Sequence, residues 1–238
     1  EFSIIGDIKC ILERLIPLLD SKDRTEWMNE INGWMRPPLN ENEFSPQNIF
    51  KAVYEILGDD TLVTTEVGQH QMWTAQYWPF KKSRTFMTSG GLGTMGYGLG
   101  AAIGTQLGNP DKTVLHVAGD GSFRMNCNEL ATVAHNNLPI ITLLMKNDTL
   151  GMVRQWQKLF FDKRYSATDL PDVIDYVKLA DAFGLEGIHV RNLEELKEAV
   201  SYASNNRKPT LIISHISIDE NVFPIVPPGE AINNQRFE

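Results

Sequence analysis

Thr113-Val114-Leu115-His116-Val117-Ala118-Gly119-Asp120-Gly121-Ser122-Phe123-Arg124 is an apolar, β-branched run that ends on a Gly-Asp-Gly turn, and its reading decides the fold. The run has the length and composition of a buried strand. Gly119 and Gly121 permit a turn whose amides come close to phosphate oxygens. Glu129 to Asn136 reads as a helix, and Leu138 to Met145 as the next strand, closed by the polar Asn147. Asp120 and Asn147 therefore end neighbouring parallel strands at one sheet edge, where open α/β sheets bind their ligands. One carboxylate, one amide oxygen, one loop carbonyl and a diphosphate suit Mg²⁺, which takes oxygen ligands and completes its octahedron with phosphates. Singly the pieces have plainer readings, since a lone Gly-Asp-Gly is a tight turn and an Asn after a strand is a cap. The layout with its flanking strands is what points to a metal and diphosphate site.

Outward from this stretch the pattern repeats. Ser45-Pro46 is a helix start, Ser as N-cap and Pro at the first helical position, and the helix runs to Leu57 before Gly58-Asp59-Asp60. Thr61 to Thr64 and Thr85 to Thr88 read as short strands, as do Gly187 to Val190 and Thr210 to Ser214. Helices at Asp172 to Phe183 and Leu193 to Ser204 fill the gaps. The alternation predicts an α/β fold with an open, mostly parallel six-stranded sheet and helices on both faces, spanning residues 45–217. Residues 218–238, with Phe223-Pro224-Ile225-Val226-Pro227-Pro228-Gly229, form an irregular tail packed across the surface. At the other end Phe2 to Ile5 reads as a strand, and Asp7 to Leu19 as an amphipathic helix with apolar Ile8, Ile11, Leu12, Leu15 and Leu19. Starting without Met and in mid-element, residues 1–20 look like the remnant of a preceding domain, so the chain is expected to be the C-terminal piece of a longer polypeptide. A helix at Asp23 to Met35 and a connector at Pro37 to Asn42 make residues 21–44 a helix and linker.

Composition narrows the classes. A length of 238 residues suits one large α/β domain or two small ones. A net charge of −8 argues against nucleic acid as the main partner. No apolar run approaches the ~20 residues of a membrane span, and the N-terminus lacks a signal-peptide pattern. Cys10 and Cys127 form no CxxC pair, which fits a reducing cytoplasm.

Three further segments carry chemistry. Glu66-Val67-Gly68-Gln69-His70-Gln71-Met72-Trp73 follows the first main strand, on the same edge as Asp120. Gly68 allows close backbone approach, while Gln69 and His70 can donate to an anion at a helix start. A loop His that merely caps a helix is the plainer alternative, and the place at a strand's carboxyl end favours a diphosphate or substrate ligand. Ser89 to Gly104 contains GxGxxG-like spacings several times. A dinucleotide fingerprint confines its glycines to the first helical turn, whereas here they persist through the helix. Each mid-helix Gly costs ~1 kcal/mol against Ala, so Gly96 to Gly104 is expected to pack very tightly on the sheet or on a partner subunit. Met95 at its mouth is a core filler or a support for a bent cofactor. Leu150-Gly151-Met152-Val153-Arg154-Gln155-Trp156-Gln157 is a substrate-pocket wall or an amphipathic helix with a core Trp.

Taken together, EVGQHQMW, SGGLGTMGYGLGAAIG, GDGSF and LGMVRQWQ resemble the catalytic subunit of acetolactate synthase (acetohydroxyacid synthase), and NVFPIVPPG is similar to that family's C-terminal segment. The resemblance covers roughly residues 45–230. Gly-Asp-Gly with a downstream Asn identifies only the thiamine-diphosphate enzymes; QHQMW and GMVRQWQ narrow the branch. The resemblance implies thiamine diphosphate and Mg²⁺ as cofactors, with FAD in the full-length enzyme. It makes Asp120, Asn147 and the Thr149 carbonyl the metal ligands. Gln69, His70 and the amides of Gly121 and Ser122 would bind the diphosphate, and Gly93 and Met95 the aminopyrimidine. Met152 and Val153 would line the site, and Trp156 would shape the pocket for the second substrate. The implied reaction decarboxylates pyruvate and condenses the two-carbon unit with pyruvate or 2-oxobutyrate, in branched-chain amino-acid biosynthesis. Implied partners are the pyrimidine-binding domain of a second subunit in a homo-oligomer and a regulatory subunit. Lys146-Asn147-Asp148 departs from the family's two consecutive asparagines. The family's activating glutamate belongs to the pyrimidine-binding domain, so no catalytic residue is expected here and the chain alone is expected to be inactive; Glu66, on the diphosphate side, is not assigned that role. Two alternatives stay open: another thiamine-diphosphate enzyme (an oxo-acid oxidase, decarboxylase or glyoxylate ligase), or a non-catalytic nucleotide- or flavin-binding module.

Overall fold

The computed structural model describes residues 3–34, 40–171 and 173–237. It divides into two compact units, Glu1–Leu39 and Asn40–Glu238. In the first, Asp7 caps α1 (Ile8–Leu15) by accepting from the Cys10 amide at 3.1 Å. Pro17 cannot donate in a continuing helix, and the chain tightens into a 3₁₀ turn at Ile16–Leu18, so the helix expected to reach Leu19 stops earlier. Asp23 accepts from the Thr25 amide at 2.9 Å ahead of α2 (Thr25–Trp34). The strand expected at Phe2 to Ile5 is not formed over Ser3 to Ile5, where no neighbouring strand among the described residues of this unit satisfies its backbone groups. Phe2, Met35, Pro37 to Leu39 and Asp172, which carried expectations, lie outside the described residues.

The second unit is built on α3 (Pro46–Leu57), β1 (Leu62–Thr65), α4 (Gln69–Tyr77), β2 (Phe86–Met87), α5 (Tyr97–Gly108), β3 (Val114–Gly119) and the short α6 (Asp120–Phe123). It continues through α7 (Leu130–His135), β4 (Ile140–Lys146), α8 (Gly151–Phe160), α9 (Tyr176–Ala182), β5 (Glu186–Val190), α10 (Leu193–Asn206) and β6 (Thr210–His215). Ser45 caps α3 with Pro46 at its first position, as the sequence predicts. The helix expected from Asp172 begins only at Tyr176, because Asp175 acts as N-cap and accepts from the Lys178 amide at 3.1 Å.

All six strands are parallel, in the order β2-β1-β3-β4-β6-β5. Successive side chains of the central strands point to opposite faces of the sheet, and both sets are buried. Leu115, Val117, Ile141 and Leu143 join Ile49, Phe50, Val53 and Trp73 under α3, α4 and α10. Val114, Ala118, Ile140 and Leu144 join Leu99, Phe123, Leu130 and Tyr176 under α5, α7 and α9. Both faces are therefore covered, and the central strands β3 and β4 read as near-continuous apolar runs interrupted by His116 and Thr142. The chain leaves β1 towards β2 on one side and returns to β3 on the other, so a crevice opens beyond the carboxyl ends of β1 and β3. Register pairs Gly119 with Met145, which puts Asp120 and Asn147 side by side at that crevice. No helix among the described residues is long and apolar enough to cross a membrane.

Candidate functional site

A cleft opens at the crevice, lined by the turns after β1, β3 and β4 and the helix starts that follow them. From β1 come Gln69 and His70, from β3 Asp120, Gly121 and Ser122, and from β4 Asn147, Thr149, Met152 and Val153, with Met95 from the loop before α5. Ten of the twelve site residues expected from the sequence thus line one cavity. Gly93 does not, although its φ of +72° makes glycine the fitting residue there. Trp156 also stands outside the lining; its ring meets Phe160 edge-on at 5.6 Å and is 40% exposed.

Asp120 is only 1% exposed. Its Oδ1 accepts from the Gly121 amide at 2.9 Å and its Oδ2 from the Asp148 amide at 2.7 Å. Burial pushes this carboxyl above its ordinary pKa, against those two amides. An uncompensated carboxylate in such a place favours a cation beside it. The Gly121 amide, expected on the diphosphate, here turns to its neighbour's carboxylate instead, as first-turn amides do when a carboxylate is at hand. Asn147 stands next to it, its Oδ1 accepting from the Thr149 amide at 3.3 Å and its Nδ2 donating to Gln69 Oε1 at 3.4 Å. Lys146, the departure from the family's paired asparagines, is buried and forks onto both oxygens of Asp148 at 2.6 and 2.5 Å. Its charge is met by a carboxylate one residue beyond Asn147.

His70 is buried at the start of α4, and its Nε2 has no hydrogen-bond partner. Burial holds its pKa down at about 4, with the charge of Glu66 working the other way. A buried ring nitrogen without a partner is costly, and an anion seated in the cleft would satisfy it. Because the folded-state pKa is depressed, the unfolded chain binds the extra proton first, so stability is full above pH 6.5 and falls as pH drops towards 4. The expected loss from His70 between pH 6.5 and 4.5 is about 2 to 3 kcal/mol in the absence of ligand. His70→Gln should flatten that part of the stability profile in denaturant titrations; an unchanged slope would show that the ring titrates normally.

Two glycines set how closely these groups meet. A Cβ on Gly119 would lie 2.7 Å from His70 Nδ1, and one on Gly121 2.7 Å from Leu150 Cδ2. Backbone and ring can approach here only because the side chains are missing.

Two residues to which the sequence assigns no role organise the site. Glu66 at the end of β1 is fully buried and gathers hydrogen bonds from α5 and Ser122. Gln155 on α8 accepts from Gln69 Nε2 at 2.9 Å and from the Val222 amide at 2.8 Å, and donates to the Val222 carbonyl at 2.8 Å. Gln69 also donates to the Glu220 carbonyl at 2.9 Å, so the tail is laid as a strap across α4 and α8 with Val222 buried. The available signal for Gln155 is its place one helical turn from Gly151, an uncharged polar residue on the inward stripe.

The family described as thiamine pyrophosphate enzyme, C-terminal TPP binding domain, matches residues 66–214. The chain belongs to that family. Its thiamine pyrophosphate-binding fold is the architecture described above, and the match begins at Glu66 and ends on β6. The chain is 40% identical over 234 residues to the acetolactate synthase isozyme 1 large subunit of Escherichia coli (strain K12), covering 96% of this chain and 42% of that protein. It is 42% identical over 238 residues to the isozyme 2 large subunit of the same organism, covering 98% and 43%. The mitochondrial acetolactate synthase catalytic subunit of Saccharomyces cerevisiae is 36% identical, covering 98% of this chain and 35% of that one. The chain therefore spans less than half the length of these relatives. Among solved structures, a thiamine diphosphate-dependent 4-hydroxybenzoylformate decarboxylase from Rhodococcus jostii RHA1 superposes with a TM-score of 0.69 at 25% identity, over 79% of this chain and 35% of that one.

Proposed function

We propose that the protein carrying this chain is a thiamine-diphosphate-dependent acetolactate synthase, a transferase of branched-chain amino-acid biosynthesis, and that this chain is its metal- and diphosphate-holding domain. The observation that carries the reading is the convergence of Asp120, Asn147 and Thr149 with the unpartnered His70 Nε2 in one cleft. The donor set of one carboxylate, one amide oxygen and one loop carbonyl is all oxygen, the chemistry that Mg²⁺ selects. The orphan imidazole nitrogen and the turn at Gly119 to Ser122 suit an anion beside that metal.

When bound, thiamine diphosphate supplies the nucleophilic carbon and the electron sink for decarboxylating a 2-oxo acid. The residues of this chain bind and orient it. Asp120, Asn147 and the Thr149 carbonyl would hold the metal. His70 with the Gln69 main chain at the start of α4 would hold the diphosphate, since the Gln69 side-chain amide is already taken up by Gln155 and the Glu220 carbonyl. Met95 would support the ring end, with Gly93 nearby. Met152 and Val153 keep water from the reacting centre. Trp156, one helical turn beyond Met152 on the same face of α8, is assigned the mouth of the pocket, where it would select between pyruvate and 2-oxobutyrate. The pyrimidine-binding domain of a second subunit, FAD, a regulatory subunit and a cytoplasmic setting belong to the same reading of the whole protein. Their support is the likeness to acetolactate synthase subunits and the two free cysteines.

The test is a calorimetric titration of the intact protein with thiamine diphosphate and with NAD, each with and without Mg²⁺, followed by product analysis on pyruvate. Mg²⁺-dependent binding of thiamine diphosphate alone, with acetolactate as product, is the expected result. Acetaldehyde or acetate in place of acetolactate would move the protein to another branch of the family.

A further inference from the structure

Glu66 directly follows β1 with its side chain 0% exposed, and it lies behind the cleft wall, itself part of neither the lining nor the solvent-facing surface. Its surroundings offer only donors. Oε2 accepts from the Gly96 amide at 2.6 Å and from Ser122 Oγ at 2.9 Å; Oε1 accepts from the Leu99 amide at 3.0 Å and lies 3.5 Å from His116 Nε2. These donors come from the N-terminus of α5, the turn after β3, and β3 itself. α5 reaches the carboxylate because Gly98 has no side chain: a Cβ there would lie 2.6 Å from the Glu66 amide nitrogen. A carboxylate at the start of a twelve-residue helix also meets the positive end of its dipole.

We propose that Glu66 is a positioning residue for the cofactor cleft, one buried carboxylate that fixes the Met95–Gly96 turn and the Gly121–Ser122 turn to each other. The inference rests on the reading of the cleft as a thiamine-diphosphate site and names the device that sets its width. Met95 and Gly121 face the cleft from the two walls that Glu66 joins, and a Cβ on Gly121 would lie 3.9 Å from Met95 Cε. With its oxygens taken up by donors, Glu66 has no free position from which to exchange a proton with a ligand. It acts through its neighbours. Burial pushes its carboxyl up, but His116 and the Leu99 and Ser122 donors outweigh this and hold it at about 2, so the latch is ionised at any working pH.

The test is Glu66→Gln in the intact protein. Glutamine keeps the shape but replaces one acceptor oxygen by a donor, setting it against the Leu99 amide or against the Gly96 amide. At saturating Mg²⁺, calorimetry should show thiamine-diphosphate affinity reduced about tenfold, and kcat at saturating cofactor should fall while the KM for pyruvate stays within twofold. Hydrogen exchange without any ligand should quicken in residues 95–99 and in 121–123 together. Ser122→Ala should loosen the same two segments more weakly and add little in the Glu66→Gln background, because one bond is being removed from either side. Should Glu66→Gln not fold, Ser122→Ala alone carries the test. Protection unchanged in both segments, or lost in one only, would overturn the proposal. The exchange readout needs no cofactor. A protein that binds no thiamine diphosphate would therefore sink the functional reading, while exchange in the two segments would still decide whether Glu66 joins the two turns.

Discussion

Asp120→Ala is expected to cripple Mg²⁺-dependent binding of thiamine diphosphate, with a loss of affinity of about thirtyfold to several thousandfold in calorimetric titration. Asp120 is the one carboxylate among the three proposed metal ligands, the others being an amide oxygen and a backbone carbonyl. Truncating one partner of a buried charge pair costs about 2–5 kcal/mol, and every 1.4 kcal/mol is tenfold in affinity. The same substitution leaves the Asp148 amide without its 2.7 Å acceptor, so the loop that carries Asn147 and Thr149 loosens as well. Asp120→Asn separates the two effects. It keeps one acceptor oxygen for the Asp148 amide and removes the charge, at the cost of setting its NH2 against the Gly121 amide, so metal-dependent affinity should still fall while the loop loosens less than in Asp120→Ala. Retained affinity in Asp120→Ala with Mg²⁺ present would take Asp120 out of the metal site.

Gly98→Ala should have the largest effect on stability, and Gly100→Ala, two residues along the same helix, should act in the opposite direction. A Cβ on Gly98 would lie 2.6 Å from the Thr65 carbonyl carbon and from the Glu66 amide nitrogen, and 2.8 Å from the Thr65 oxygen. Those are backbone atoms of a central strand and cannot rotate away. Overpacking of this kind costs about 1–3 kcal/mol, and separating α5 from β1 also pulls the Gly96 and Leu99 amides off Glu66. The intrinsic gain of Ala over Gly in a helix, about 1 kcal/mol, does not compensate. Nothing lies within 4 Å of a Cβ on Gly100, so that gain stands alone and Gly100→Ala should stabilise by about 0.5–1 kcal/mol. Equilibrium unfolding in urea measures both. Equal midpoints for the two variants would mean that α5 does not sit on β1 at this distance.

The contrast between these glycines also marks where sequence reading ends. Periodicity and run length place β3 and β4, and the polar residue closing each run places Asp120 and Asn147 at one edge, because a parallel register leaves neighbouring strands ending together. The persistence of glycine through α5 announces close packing, but not that Gly98 faces the sheet while Gly100 and Gly104 have open space. The hub at Glu66 is not legible. An acid directly after a strand reads as an exposed loop residue, and its donors lie 30 to 56 positions downstream, brought to it only by the fold. The Gln69–Gln155 bridge spans 86 positions for the same reason. The Phe2 to Ile5 segment shows the converse. Local β propensity makes no strand at Ser3 to Ile5, where no pairing edge is offered among the described residues of its unit.

The strap formed by residues 219–223 changes what counts as the end of this domain. By strands alone the fold closes at His215, and a chain cut there would keep the whole sheet. Yet Gln155 holds Val222 with both ends of its amide and shares the oxygen with Gln69, while Trp73 and Gln76 donate to the Asn221 and Phe223 carbonyls. A boundary drawn at the last strand would leave these four polar side chains facing a trench where the main chain had been. Anyone trimming or fusing the polypeptide should place the junction downstream of Phe223, since the masonry behind Gln69 is laid by the tail.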